Sequence, residues 1–161
     1  EDQTISHPST VAQQSTLLEV FPGAKVLEVG TGSGYQAYVL DQLKAEVYSI
    51  ERQKSLYLKT KALLSGFRSR VRCFYGDGYQ GLPQFAPFDR ILVTCGAAAM
   101  PMDLLPQLKI GGIMVIPLGS PKQVMTKIIR KTETDLEVSR HGNCHFVPML
   151  PEKTGERQHV S

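Results

Sequence analysis

Residues 26–36 read VLEVGTGSGYQ, an apolar run followed at once by three glycines in five positions, Gly30, Gly32 and Gly34. A short apolar run closing on glycines reads as a buried strand entering a tight turn, with a helix from about Ser33 to Lys44 beyond it. Glycine permits backbone angles that other residues avoid and lets a ligand approach the main chain closely. In open parallel sheets ligands sit beyond the carboxyl ends of the strands, near the point where strand order reverses. This loop is therefore the first place to look for a site.

The same rhythm runs outward from it. EVYSIE reads as a second strand, and RQKSLYLKTKALLSG as a helix with Leu56, Leu63 and Leu64 on one face and Gly66 as its stop. VRCFYGDG reads as a third strand and turn, DRILVTCG as a fourth, PMDLLPQLK as a helix opened by Pro101, and GGIMVIPLG as a fifth strand. Strands alternating with helices imply right-handed crossovers and a parallel sheet covered on both faces. After Gly119 the helical segments stop, so QVMTKIIRKT, DLEVSR and CHFVPML are expected to add an antiparallel edge. The expected architecture is α/β, a Rossmann-like doubly wound and mostly parallel sheet with helices on both faces. One domain is expected over residues 1–150, with a polar, flexible tail at 151–161.

Composition narrows the function. A chain of 161 residues, 42% apolar and 20% charged, is enough for one domain with a real core. No apolar run approaches the roughly 20 residues that cross a bilayer, and residues 1–10 are too polar for a signal peptide. A net charge of +3 is spread along the chain with no basic stripe, which argues against a nucleic-acid partner. Cys73, Cys95 and Cys144 lie far apart, and the four histidines lack H-E-x-x-H spacing, so neither a disulfide framework nor a metal site is expected. Free thiols fit a reducing, cytoplasmic setting.

Two more features stand beside the glycines. Glu51 ends the second strand, 21 positions after Gly30, where a carboxylate can accept both hydroxyls of a ribose. That feature is common to NAD and S-adenosylmethionine sites and specifies a nucleoside. Asp77 and Gly78, in GDG after the third strand, can meet an adenine. The spacing is G-x-G-x-G, with Tyr35 where the dinucleotide fingerprint G-x-G-x-x-G has its last glycine, which weakens a nicotinamide reading.

Taken in order, QTIS, VLEVGTGSGYQ, VYSIER, GDGYQGLP, APFD, ILVT, LLPQLKIGG, VIPLG and FVPM resemble the protein-L-isoaspartate O-methyltransferases, from Gln3 to Met149. Departures include Asp2 where a glycine usually precedes the Gln, VTCGAAAMP in place of an alanine-rich loop with proline, FVPM for FVPL, and the absence of the helical segment that family members carry before QTIS. The resemblance implies a class I fold, S-adenosylmethionine as cofactor, and methyl transfer to the α-carboxylate of isoaspartyl residues in damaged proteins and peptides; nothing in the sequence demands more than a monomer. It implies Gly30, Thr31, Gly32 and Gly34 around the methionine portion, Glu51 and Arg52 at the ribose and adenosine, and Asp77 and Gly78 at adenine. Ser9 and Thr94 are further lining candidates, and Glu28 a brace for the loop. Thr4 and Ser6 are the implied catalytic and substrate-binding residues, with Ser6 orienting the carboxylate. Phe146 and Val147 are implied to meet the peptide.

The resemblance leaves rivals. Taken alone, Thr4 and Ser6 read as caps of a helix beginning near Ser9; with the resemblance they read as the site. Cys95 lacks electropositive neighbours in sequence and reads as packing under the cofactor, not as a nucleophile. An RNA or small-molecule methyltransferase, or a cofactor-binding module without turnover, also fits the glycine motif.

Overall fold

The computed structural model describes residues 7–154. Its centre is β1 (Lys25–Val29), whose Val26, Leu27, Glu28 and Val29 are all buried. A strand covered on both faces has no solvent side to alternate toward, hence the continuous apolar run in sequence. β2 (Glu46–Glu51) and β3 (Arg72–Tyr75) continue the sheet in parallel on one side, and β4 (Phe88–Val93) and β5 (Leu108–Leu118) on the other. β6 (Gln123–Arg130) and β7 (Leu136–Cys144) then add antiparallel, giving the order β3-β2-β1-β4-β5-β6-β7. The chain moves outward from β1 to β3 and returns to β4 on β1's other flank. The carboxyl ends of β1 and β4 thus form the strand-order switch.

Among the described residues, three α-helices accompany the sheet: α1 (Pro8–Leu18), α2 (Tyr35–Gln42) and α3 (Lys54–Gly66). Pro8 suits the first turn of α1, where its missing N–H costs no helical bond, and His7 caps that helix by accepting from Ser9 N at 3.1 Å. Leu18 of α1 and Ala37 and Leu40 of α2 pack with Val26, Val47, Leu92 and Val115 on one sheet face. Leu27, Val29, Tyr48, Ile50, Ile91 and Val93 face the other way, under Leu82, Leu104, Leu105 and Met149. That second face is covered by 3-10 turns (Gly78–Gln80, Pro83–Phe85, Leu105–Gln107) and loops, so the helical cover is unequal.

Several local expectations are corrected. PMDLLPQLK forms no α-helix; it gives a turn and the short 3-10 segment at Leu105–Gln107. Pro106 explains this, since it lacks an N–H, would clash with the carbonyl four residues back, and disfavours helical angles at Leu105. Leu104, Leu105 and Leu108 still reach the core. On α3, Leu63 is 50% exposed, and the buried stripe is Thr60 and Leu64, four residues apart as helix geometry requires. α2 begins at Tyr35, two residues later than expected. CHFVPML does not extend the edge; β7 ends at Cys144, and Pro148 forms an isolated parallel bridge to Gly96. Thr154 is tied back to β2's exit, its N–H donating to Arg52 O at 2.7 Å and its carbonyl accepting from Tyr75 Oη at 2.6 Å. Among the described residues, no helix is long and apolar enough to cross a membrane.

Candidate functional site

A hollow opens at the strand-order switch. The glycine loop, the end of β2 at Ile50–Arg52, Gly78, and Thr94 and Cys95 after β4 form its floor and one side. His7, the cap of α1, and Thr10, Val11 and Gln14 of α1 with Tyr35 and Gln36 of α2 form a second wall, and residues 145–150 a third.

The loop's shape follows from its glycines. Gly30 has φ +100°, and a Cβ there would lie 2.6 Å from Thr94 Oγ1; Gly34 has φ +86°, and its Cβ would lie 2.7 Å from Thr60 Cγ2. An L side chain at either position is strained by its backbone and blocked by its neighbour. The main chain is pinned from β2, where Ile50 O accepts from Gly30 N at 2.9 Å. Glu51 Oε1 accepts from Gly32 N at 3.0 Å, and its Oε2 from Gln53 N at 2.9 Å. Each carboxylate oxygen therefore spends one lone pair on the loop framework and keeps another.

Beneath the loop lies a buried polar chain. Ser49 Oγ donates to Glu28 Oε1 at 2.5 Å and lies 2.6 Å from Thr31 Oγ1. Glu28 thus braces Thr31 through Ser49, the bracing part expected of it. Burial pushes the Glu28 pKa up to about 8; the Ser49 hydrogen bond opposes that and the Glu51 charge adds to it. Thr94 Oγ1 lies 2.5 Å from Gly30 O and 3.0 Å from Val29 O, tying β4 to the loop. Burial, reinforced by Glu51 and Glu28, pushes the Cys95 thiol up to about 12, which leaves it a packed thiol with negligible thiolate at neutral pH.

Of the residues singled out in sequence, Gly30, Thr31, Gly32, Glu51, Arg52, Gly78, Thr94, Phe146 and Val147 line one hollow. Three others do different work. Gly34 supports the start of α2, Asp77 Oδ1 caps a 3-10 turn by accepting from Tyr79 N at 2.9 Å, and Ser9 Oγ pairs with His7 Nδ1 at 2.7 Å. Thr4 and Ser6 lie outside the described residues. Phe146 is core as well as wall: its N–H donates to Gln123 Oε1 at 2.7 Å and its carbonyl accepts from Gln123 Nε2 at 3.1 Å. Sequence reasoning missed Gln14 and Gln36, although Gln14 interrupts the buried stripe Val11-Gln14-Leu18 on α1 and Gln36 heads the buried set Gln36-Ala37-Leu40 on α2. Among the described residues, no group of three or more His, Cys, Asp or Glu gathers as a metal site.

Comparison with known proteins places these features. The model of the protein-L-isoaspartate(D-aspartate) O-methyltransferase family matches residues 1–154. The protein-L-isoaspartate O-methyltransferase of Christiangramia forsetii is 56% identical over 154 residues, covering 94% of this chain and 72% of that protein. Its counterpart from Flavobacterium psychrophilum is 56% identical over 153 residues, covering 94% and 71%. Among solved structures, a protein-L-isoaspartate O-methyltransferase superposes with a TM-score of 0.86 at 30% identity, over 92% of this chain and 49% of that one. A Plasmodium falciparum structure in complex with S-adenosyl-L-homocysteine shares the fold, with a TM-score of 0.82 at 23% identity over 93% of this chain and 77% of that one.

Proposed function

The chain belongs to the protein-L-isoaspartate(D-aspartate) O-methyltransferase family, and from that premise we propose that it methylates the free α-carboxylate of isoaspartyl residues in damaged proteins and peptides, using S-adenosylmethionine. The observation that carries this reading is Glu51 clasping the glycine loop at the strand-order switch while retaining lone pairs for a ribose. The donor set fits the cofactor. Positive-φ glycines admit a ligand against the main chain, and Gly78 borders the hollow where a Cβ would meet Val29 Cγ1 at 2.6 Å.

When bound, S-adenosylmethionine supplies an electrophilic methyl group on its sulfonium. A free α-carboxyl ordinarily titrates at about 3.3–3.7, so the receiving group is already ionised near neutral pH and requires no base. The protein's task is to align that anion with the methyl carbon, and alignment contributes roughly 7–11 kcal/mol in well-organised cases. Thr4 and Ser6 are assigned as the hydroxyls that orient the carboxylate. Gln123 engages the backbone of Phe146, and the Val147 carbonyl accepts from Gly96 N at 2.8 Å, so Phe146 and Val147 are assigned to meet the peptide by apolar contact along the hollow's wall. In the methyl ester, attack by the following backbone amide nitrogen expels methanol and closes a succinimide, whose hydrolysis returns part of the chain to a normal aspartyl linkage. The reading extends to a monomer in the cytoplasm, where the free thiols of Cys73, Cys95 and Cys144 stay reduced.

The test offers the protein radiolabelled S-adenosylmethionine and two peptides differing in one aspartyl or isoaspartyl linkage. Base-labile label on the isoaspartyl peptide alone is expected. Equal labelling of both peptides, or cofactor binding without transfer, contradicts the assignment.

A further inference from the structure

Gln36 is the second residue of α2, is 7% exposed, and forms part of the hollow's wall. Its amide spans the seam between two helices, Nε2 donating to Ser15 Oγ of α1 at 2.9 Å. Its Oε1 is buried with no hydrogen-bond partner among the described residues. A buried acceptor left without a donor is costly, and in a binding site it marks where a ligand N–H completes the structure.

The neighbouring main-chain acceptors each already take one hydrogen bond, whereas Gln36 Oε1 takes none among the described residues. Gly30 O faces the Thr94 hydroxyl and Gly32 O accepts from Thr60 Oγ1 at 2.7 Å. The first turn of α2 has no side-chain cap at Gly34, and the N–H groups that open a helix lack helical partners, which suits an anion. An amino-acid tail carries both charges on one carbon, so a carboxylate settled near that turn needs an acceptor beside it for its ammonium.

We propose that Gln36 Oε1 accepts a hydrogen bond from the α-ammonium of the bound cofactor, making Gln36 the residue that selects nucleosides bearing an amino-acid tail. The inference rests on the methyl-donor reading above and adds a recognition role to a residue on the helical wall.

The test is calorimetric titration with S-adenosylhomocysteine and with 5′-methylthioadenosine, which keeps the nucleoside and thioether but lacks the tail. Q36M preserves volume and removes the acceptor. It is expected to weaken S-adenosylhomocysteine about tenfold or more and leave methylthioadenosine unchanged, the scale of a lost hydrogen bond to a charged group. Q36E keeps acceptors in place and is expected to retain S-adenosylhomocysteine within a few-fold. S15A breaks the seam contact while leaving the acceptor and is expected to change neither ligand.

Equal weakening of both ligands by Q36M, no weakening of either, loss of S-adenosylhomocysteine in Q36E, or an S15A effect matching Q36M would each overturn the proposal. If the unaltered protein binds neither nucleoside, the methyl-donor reading falls and this inference with it. If it binds S-adenosylhomocysteine but Q36M does so equally, the inference alone fails.

Discussion

Replacing Glu28 with Gln keeps the shape of the side chain and removes its ability to ionise, so its effect on stability depends on pH. Glu28 is 0% exposed near the carboxyl end of β1, and its Oε2 has no hydrogen-bond partner among the described residues. Burial first, partly offset by Ser49 and reinforced by the Glu51 charge, raises its pKa from an ordinary 4.5 to about 8. A raised native pKa means the folded protein keeps a proton that the unfolded chain releases. The contribution of Glu28 is then fully present below about pH 4.5, declines above it, and is lost as pH rises through about 8. Within that window the loss accrues at about 1.4 kcal/mol per pH unit and flattens beyond it. From about pH 6 to pH 8 the unaltered protein should lose about 2 kcal/mol that Glu28→Gln retains. Urea unfolding of both proteins across this range measures it, because the other titrating groups are common to both and largely cancel in the difference. A gap that widens with pH and levels off near pH 9 is expected. Parallel stability curves would refute the reasoning.

Three further outcomes are specific. Gly34→Ala combines a φ of +86° with a Cβ 2.7 Å from Thr60 Cγ2, whereas Gly32→Ala, at φ +54°, meets nothing within 4 Å. Denaturant unfolding should show a loss of about 2–4 kcal/mol for the first and about 1 kcal/mol for the second; equal losses would mean the Thr60 contact is relieved elsewhere. Glu51→Ala leaves the N–H groups of Gly32 and Gln53 without their acceptor and should lower S-adenosylhomocysteine affinity about tenfold or more by calorimetry, with a fall in Tm. Unchanged affinity would remove Glu51 from the ribose site. Ser6→Ala should reduce kcat for an isoaspartyl peptide and leave S-adenosylhomocysteine affinity intact. An unaltered methylation rate would end its orienting role.

What the sequence disclosed follows from how local each signal is. The run from Val26 to Val29 and the glycines after it encode burial on both faces and a turn requiring positive φ, so both were legible. Glu51 was legible because a carboxylate at a strand end is a positional feature. The segment from Pro101 to Lys109 misled because its apolar spacing imitates a helix while Pro106 forbids one. Leu63 misled because adjacent apolar residues on a helix point about 100° apart, and Leu64 took the inward position. Gln36 and Ser49 were opaque for another reason. Their roles depend on partners on other elements, Ser15 of α1 for the first and Glu28 and Thr31 around β1 for the second, and no pattern along a single segment records such meetings. Asp77 stood in the expected motif, and the bond its Oδ1 accepts from Tyr79 N is a local one that the motif alone does not reveal.

The most direct measurement is a crystal structure of the protein with S-adenosylhomocysteine. The account predicts the ribose hydroxyls on Glu51, adenine beside Gly78, and the thioether above the loop from Gly30 to Gly34. A nucleoside seated elsewhere, or clear density for an empty hollow at saturating ligand, would contradict it.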